Sequence, residues 1–292
     1  MDANELLQKA RSIEIKTRGA VNNLFAGAYH AAFKGRGMSF AEVREYHEGD
    51  DVRDIDWNVT ARLHHPYIKV FEEERELTVM LLIDVSGSLD FGAGRCTQRE
   101  LVTEIAATLA LSASLNKDKV GVLLFSDHIE KYIAPQKGRR HILRIIRELL
   151  EFQSQSRRTD LNLALESLVR MMHRRCVAFV ISDFLYERQD WHTTLQAAAR
   201  KHDVIALRVW DRRMAELPSV GLLKVVDAET GHEQYIDTGS RRVREKQRAW
   251  WDETTTRLHE LLASCRVNCA EVNADEDYVV ALKNLFARRR TL

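Results

Sequence analysis

The sequence is poor in several features that mark common protein classes. Among its 292 residues are three prolines and four cysteines, so neither a proline-rich linker nor a disulfide framework is predicted. The longest apolar runs, residues 79–83 and 177–181, fall far short of the roughly 20 residues that cross a bilayer, and residues 1–10 lack a signal-peptide core. We therefore expect a cytoplasmic protein with reduced thiols and no transmembrane segment, while peripheral membrane association stays open.

Net charge is also almost absent. The 44 Lys and Arg residues balance 43 Asp and Glu residues, which leaves a formal charge of +1. A general polyanion binder carries a larger imbalance, and no nucleic-acid-binding motif is present, so we expect no nucleic-acid partner. With 45% apolar residues, the chain has the composition of a globular protein with a real core.

From residue 77 onward, short apolar strands alternate with helices. The predicted strands cover residues 77–83, 119–125, 176–181, 204–209 and 268–272, and the predicted helices cover residues 98–115, 139–152, 161–172, 191–201, 243–264 and 277–290. This pattern predicts an α/β fold with a doubly wound, mainly parallel sheet covered by helices on both faces. A hairpin with an Asp-Ala-Glu-Thr-Gly turn is expected as an insertion near residues 220–238.

The first 76 residues follow a different pattern. Residues 4–33 have apolar side chains at helical spacing, and residues 40–76 consist of short β-like pieces among charges, with 11 acidic and 5 basic residues from Glu42 onward. We therefore divide the chain into an N-terminal helix plus an acidic β-rich segment, residues 1–76, and a main domain, residues 77–292.

Four aspartates of the acidic segment have two interpretations. They are Asp50, Asp51, Asp54 and Asp56, and they lack the spacing of an EF-hand calcium loop. Arg44, Arg53 and Arg62 are near enough in sequence to neutralise them. This favours ion pairing that docks the segment on the main domain over a second cation site.

The most informative motif follows the first predicted strand of the main domain. Asp84, Ser86 and Ser88 stand at the carboxyl end of that strand, where ligands bind in open α/β sheets. The carboxylate and the two hydroxyls are oxygen ligands suited to Mg²⁺ or a similar hard cation. Gly87 allows the backbone of this loop to curl around such an ion. Three oxygens do not complete an octahedron, so further donors are expected at the same edge.

Two later segments supply those donors. Thr159 precedes the predicted helix at residues 161–172, and Asp183 ends the strand at residues 176–181 as Asp84 ends the first strand. The ordered set Asp-x-Ser-x-Ser, Thr-Asp-Leu and Ser-Asp resembles the metal-ion-dependent adhesion site of von Willebrand factor A domains. Five residues fill the five positions of that site: Asp84, Ser86, Ser88, Thr159 and Asp183.

This resemblance implies a sheet of von Willebrand factor A type and a bound Mg²⁺, or Mn²⁺ or Ca²⁺ in its place. In such sites the metal keeps an open position that an acidic residue of another protein completes. The resemblance thus implies a metal-dependent protein-binding module rather than an enzyme.

The upstream residues resemble a narrower family. Residues 44–57, Ala-Arg at 61–62 and the Lys-Val-Phe-Glu-Glu-Glu run at 69–74 are similar to the signature of the bacterial domain of unknown function 58 family. The resemblance extends from about residue 37 to the end. Members of that family are typically encoded beside MoxR-type AAA+ ATPases, which implies an adaptor or partner of such an ATPase in remodelling or maturation of another protein.

An enzyme that uses the same Mg²⁺ for phosphoester hydrolysis is the alternative. A phosphatase of the haloacid dehalogenase type would have a second aspartate where Ser86 stands, and no general base or nucleophile accompanies the metal ligands. Ser86 also lies outside a Gly-x-Ser-x-Gly elbow, and the chain has neither a Walker A motif nor a Gly-x-Gly-x-x-Gly motif. We therefore expect no enzymatic activity.

Three smaller assignments remain. Arg157 and Arg158 stand beside Thr159, and we predict that they attract the acidic partner.

A purely structural alternative for Ser86 and Ser88 is that they cap the helix that begins near residue 98. Cys265 and Cys269 are four residues apart, and buried free thiols are favoured there over a zinc site.

Overall fold

The computed structural model describes residues 17, 29, 32, 39–47, 49–72, 77–90, 97–186 and 190–290. The chain divides into two compact units, one of Phe33–Leu77 and one of Met1–Ala32 with Thr78–Leu292. The helix expected over residues 4–33 lies almost wholly outside the described residues. Within that range the structure describes Thr17, Tyr29 and Ala32, and all three are helical.

The smaller unit is built on two antiparallel strands. Strand β1, Ser39–Glu45, pairs with β2, Tyr67–Glu72, and a short 3-10 helix, Val52–Asp54, and helix α1, Trp57–Leu63, lie between them in sequence. The β-like character expected of this segment is therefore present.

The aspartates of the smaller unit have local partners. The guanidinium of Arg44 donates to both oxygens of Asp50, at 2.7 and 2.8 Å. The Asp51 carboxylate caps the 3-10 helix through the amide of Arg53, and the Asp56 carboxylate caps α1. Among the described residues, no group of three or more His, Cys, Asp or Glu side chains forms a metal cluster. Capping and ion pairing therefore account for these carboxylates better than a second cation site does.

The larger unit contains a sheet of six strands. They are β3 (Thr78–Asp84), β4 (Lys119–Phe125), β5 (Ile129–Gln136), β6 (Val177–Ser182), β7 (Asp203–Trp210) and β10 (Asn268–Asn273). Their spatial order is β10-β7-β6-β3-β4-β5, and all neighbours are parallel except β4 and β5. The chain runs from β3 to β4 on one side and later returns to β6 on the other side. The strand order therefore reverses beside β3, which is where open sheets bind ligands.

Helices lie on both faces of this sheet. Among the described residues from Gln98 onward, the helices are α2 (Gln98–Leu115), α3 (Arg139–Glu151), α4 (Leu161–Met171), α5 (His192–Lys201), α6 (Arg212–Ala215), α7 (Arg241–Ser264) and α8 (Tyr278–Arg290). One core cluster joins alternate residues of the strands to α4, α5 and α7. On the other side, α2 packs against α3, β3, β4 and β7. The prediction of an α/β fold with a mainly parallel sheet is confirmed.

Two features complete the architecture. The inserted hairpin is formed by β8, Leu222–Val226, and β9, Glu233–Asp237, which pair with each other. No helix in the described parts of the chain is long and apolar enough to span a membrane.

Strand β5 is absent from the sequence prediction. Its residues are half-buried or exposed except for the buried Ile133. The strand carries Pro135 and forms the antiparallel edge of the sheet. Proline is tolerated at such an edge because its missing amide has no ladder bond to make. A strand with one solvated face has no continuous apolar run, and for this reason the pattern did not reveal it.

Candidate metal centre

Asp84 is the last residue of β3 and is buried, with 1% of its surface exposed. Its Oδ1 accepts a hydrogen bond from the amide of Ser86 at 2.9 Å. Its Oδ2 accepts from the hydroxyl of Ser182 at 2.8 Å and from the hydroxyl of Tyr186 at 3.4 Å. The carboxylate is therefore held on both oxygens at the carboxyl edge of the sheet.

The two serines of the motif continue from this carboxylate. Ser86 is fully buried, and its Oγ lies 3.1 Å from the Oγ of the half-buried Ser88. They do not cap α2, because Thr97 caps that helix by accepting a hydrogen bond from the amide of Glu100. The capping interpretation of Ser86 and Ser88 is therefore wrong.

Asp183 directly follows β6 and is 2% exposed. Its Oδ1 accepts from the amide of Leu185 at 3.0 Å, while its buried Oδ2 has no hydrogen-bond partner among the described residues. The next residue, Phe184, has a φ of +56°, a left-handed conformation that is uncommon for a residue with a large side chain. Strained backbone of this kind recurs at functional sites.

The electrostatics of the two carboxylates are unfavourable when they stand alone. Burial, and then the charge of Asp183, raise the pKa of Asp84 to about 7. Burial also raises the pKa of Asp183, and its interactions with Leu185, Ser88 and Arg208 oppose that rise. Two buried like charges side by side favour binding of a proton or a cation.

Thr159 belongs to the loop of residues 152–160, which we call the connecting loop and which joins α3 to α4. The carbonyl of Arg157 accepts a hydrogen bond from the amide of Gly87 at 3.1 Å. The structure therefore brings the loops of Ser86 and Thr159 together through their backbones. Arg157 and Arg158 are both exposed on this loop, as their assigned role requires.

An open cavity of about 630 Å³ lies beside the centre. Its wall includes Val85, Gly87 and Arg99 on one side and residues 150–154, Ser156 and Arg157 on the other. The connecting loop therefore forms both the boundary of the cavity and part of the ligand set.

The tip of the inserted hairpin, residues 227–231, lies against the same loops. A Cβ on Gly87 would stand 2.6 Å from the carbonyl oxygen of Ala228 and 3.2 Å from the Cβ of Arg157. Gly87 is therefore needed because the Ala228 backbone and the Arg157 side chain both approach it closely. The expected hairpin is confirmed, and its position beside the centre is new.

Sequence reasoning missed three residues that support the ligands. The hydroxyls of Ser182 and Tyr186 hold Asp84 and lie 2.7 Å from each other. The fully buried Arg208 donates from Nε to the carbonyl of Asp183 at 3.2 Å. Ser182 stood inside the quoted Ser-Asp motif, and a lone arginine within the apolar strand β7 was a signal for Arg208.

The donor set fits a hard divalent cation. The two carboxylates and three hydroxyls would supply oxygen ligands, and Oδ2 of Asp183, which has no hydrogen-bond partner among the described residues, is a buried acceptor of the kind that a cation or its water would satisfy. The cysteines do not compete with this assignment, since burial raises the pKa of the Cys176 and Cys269 thiols to about 12 and they are free. Cys96 lies outside the described residues.

The fold and the site define an α/β protein whose parallel sheet carries an oxygen-rich centre at its carboxyl edge. The family model described as Protein of unknown function DUF58 matches residues 42–256, and the chain belongs to this family. The uncharacterized proteins Rv1480 of Mycobacterium tuberculosis and Mb1516 of Mycobacterium bovis are each 34% identical over 233 residues, which cover 79% of this chain and 73% of theirs.

Solved structures share the fold at low identity. The conserved hypothetical protein BatB from Bacteroides thetaiotaomicron is similar with a TM-score of 0.50 and 16% identity, over 74% of this chain and 100% of that one. An aerotolerance-related membrane protein from Bacteroides fragilis is similar with a TM-score of 0.52 and 14% identity, over 74% and 98% of the two chains. These likenesses concern the fold alone.

Proposed function

We propose that this protein is a metal-dependent protein-binding module with an adhesion site of von Willebrand factor A type. Asp84, Ser86, Ser88, Thr159 and Asp183 would hold the cation, for which Mg²⁺ is the first choice and Mn²⁺ or Ca²⁺ the alternatives. Bound there, the cation would supply an open coordination position for a carboxylate of a partner protein.

The observation that carries the proposal is the buried carboxylate pair. Asp84 and Asp183 end adjacent strands of the sheet, and burial disfavours the charged form of each and raises its pKa. Hydroxyls rather than further carboxylates surround them. A cation held by few carboxylates stays poorly neutralised and therefore attracts an anionic ligand from outside.

Binding is preferred over catalysis for a chemical reason. Hydrolysis by a metal needs a positioned base or a second metal ion, and among the described residues the centre gathers no third His, Cys, Asp or Glu. The exposed Arg157 and Arg158 instead suit attraction of an acidic surface.

The partner we propose is a MoxR-type AAA+ ATPase, for which this protein would act as a cytoplasmic adaptor in remodelling or maturation of another protein. This part of the proposal depends on membership of the DUF58 family. Members of that family are typically encoded beside such ATPases. The acidic residue that completes the coordination would belong to the ATPase or to its client.

Calorimetric titration with Mg²⁺ tests the centre first. We expect binding by the wild type and loss of binding in Asp84→Ala. Equal heats for the two proteins would show that the centre does not take the metal.

Affinity capture from native extract then tests the partner, with wild type and Asp183→Ala as baits, each in Mg²⁺ or in chelator. We expect mass spectrometry to identify a AAA+ ATPase that wild type retains in Mg²⁺ alone, and charge reversal at Arg157 and Arg158 to slow its association at low salt. If no captured protein depends on the metal or on Asp183, metal-bridged recognition fails, and phosphoesterase assays become the next step.

A further inference from the structure

A buried carboxylate outside the metal centre fastens the connecting loop. Glu130, on the edge strand β5, has a side chain that is 1% exposed. Its Oε1 accepts hydrogen bonds from four donors, which are the Ser126 hydroxyl at 2.9 Å, the Ser154 hydroxyl at 2.7 Å, the Gln155 amide at 3.0 Å and the Ser156 amide at 3.4 Å. Three of these donors belong to the connecting loop.

The second oxygen of Glu130 is also engaged. Oε2 lies 3.2 Å from Nε2 of His128, whose Nδ1 lies 2.9 Å from Oδ1 of Asp127. Burial favours protonation of Glu130, but hydrogen bonds from Ser154 and Ser126 hold its pKa below the ordinary value. The side chain is therefore a charged acceptor, and hydrogen bonds to a charged acceptor are stronger than neutral ones.

These contacts place Thr159 between two anchors. Upstream, Glu130 holds residues 154–156. Downstream, the amide of Asp160 donates to the carbonyl of Ser126 at the end of β4, at 2.9 Å. Between them, the carbonyl of Arg157 accepts from Gly87. A loop without regular structure of its own is thus fixed on both sides of a metal ligand.

The same contacts argue against a hydrolytic role for Ser126. The Ser126 hydroxyl and the Asp127 carboxylate both lie near Nδ1 of His128, at 3.3 and 2.9 Å. In a Ser-His-Asp triad the serine and the acid use opposite ring nitrogens. The cluster of Ser126, His128 and Glu130 is therefore better explained as a fastening than as a nucleophile.

We propose that Glu130 is a positioning residue of the metal centre, which fixes the connecting loop so that the Thr159 hydroxyl is available to the cation and the loop arginines to the partner. This inference rests on the proposed function for the identity of the ligand. Residues that orient metal ligands from outside typically change metal affinity by about 10- to 100-fold when they are replaced.

The test compares Glu130→Ala, Glu130→Gln and Glu148→Ala. Glutamine keeps an acceptor oxygen for the loop donors, and its NH₂ group suits a neutral Nε2 of His128. Glu148 is a matched control because it is a mostly buried glutamate that pairs with Lys131 of the same strand β5, and it makes no contact with the connecting loop among the hydrogen bonds and ion pairs of the described residues. Mg²⁺ affinity is measured by calorimetry, and exchange of the Gln155 and Ser156 amides is measured by NMR in metal-free protein.

We expect Glu130→Ala to weaken Mg²⁺ binding by about tenfold or more and to speed exchange of both amides. Glu130→Gln should change both readouts less than Glu130→Ala does, because it keeps an acceptor but loses the charge. Glu148→Ala should leave both readouts unchanged. Should Glu130→Ala fail to fold, Ser154→Ala removes one loop donor and should shift both readouts in the same direction by less. Faster exchange with unaltered Mg²⁺ affinity would overturn the positioning role. If wild type does not bind Mg²⁺, the proposed function fails, while unchanged amide exchange in Glu130→Ala would separately refute the fastening of the loop.

Discussion

The aspartates of the two units are the same chemical group under opposite conditions. At the carboxyl edge of the main sheet, Asp84 and Asp183 are buried side by side, and the pKa of each is raised. In the smaller unit, a hydrogen bond from Arg44 and then one from the His47 amide lower the pKa of Asp50 to about 2. Burial disfavours the charged form of the first two carboxylates, whereas Arg44 favours the charged form of Asp50.

The difference teaches that acidic density along the sequence does not identify the carboxylates whose charged form is disfavoured. The smaller unit contains the most acidic stretch of the chain, yet Asp51 and Asp56 serve as helix caps and Asp50 is a partner of arginine. The candidate metal centre has two carboxylates, and what distinguishes them is burial, which raises the pKa of each. Position at the ends of adjacent parallel strands counts for more than number.

The largest expected effect concerns pH and the metal-free protein. The folded pKa of Asp84 is about 7, above the value near 3.9 of an unfolded aspartate, so the folded state holds the proton more tightly. Stability of the metal-free protein should therefore fall as pH rises from about 4 to about 7, and stay low above that. The loss is on the order of 2–4 kcal/mol.

Asp84→Asn isolates this contribution. We expect the variant to be more stable than metal-free wild type at pH 8 and similar to it near pH 4, in urea unfolding followed by circular dichroism. Asp50→Asn is the contrasting control and should destabilise the protein at pH 8, because its folded pKa is lowered. If the difference in stability between wild type and Asp84→Asn were the same at pH 4 and at pH 8, the raised pKa of Asp84 would be contradicted.

A smaller effect is expected from Gly87→Ala. The added Cβ would meet the Ala228 carbonyl and force the hairpin tip away, which should cost about 1–3 kcal/mol as overpacking does. We expect faster exchange of the Gly231 amide, which donates to the Asp227 carbonyl within the tip, and weaker Mg²⁺ binding.

Gly49→Ala in the smaller unit sharpens the contrast. Gly49 has a φ of +107° with nothing within 4 Å of an added Cβ, so alanine strains the backbone there without touching a neighbour. It should lower stability and leave both the Gly231 amide and Mg²⁺ binding unchanged. Equal Mg²⁺ affinity in Gly87→Ala and wild type would show that the tip contact does not affect the centre.

The sequence predicted most of the larger unit because local rules determined it. Continuous apolar strands marked the parallel sheet, and helix α2 was predicted with the bounds that the structure gives, Gln98–Leu115. The candidate ligands were predictable for the same reason, since carboxyl ends of neighbouring parallel strands meet at one edge.

The support around the ligands was not predictable, because it depends on contacts between distant residues. The hydroxyl of Ser182 reaches Asp84 across 98 positions of sequence, and Glu130 fastens residues that lie 24 to 26 positions away. The hairpin tip likewise approaches Gly87 from a segment that local pattern identifies only as a turn. Periodicity describes which face of a strand is buried, but it carries no information on which side chains meet.

The smallest expected effect is that of Arg44→Ala, which removes the guanidinium from Asp50. The ion pair is partly exposed, with 39% of the Arg44 side chain and 19% of the Asp50 side chain accessible, so solvent screens it. We expect the pKa of Asp50 to rise from about 2 towards the ordinary value near 3.9, as measured by NMR titration of its carboxyl carbon. Mg²⁺ affinity should not change, because Asp50 is not one of the five candidate ligands. A new Mg²⁺ site in Arg44→Ala would instead show that the acidic segment is a cation site that Arg44 blocks. The two groups of aspartates would then differ in their partners rather than in their burial.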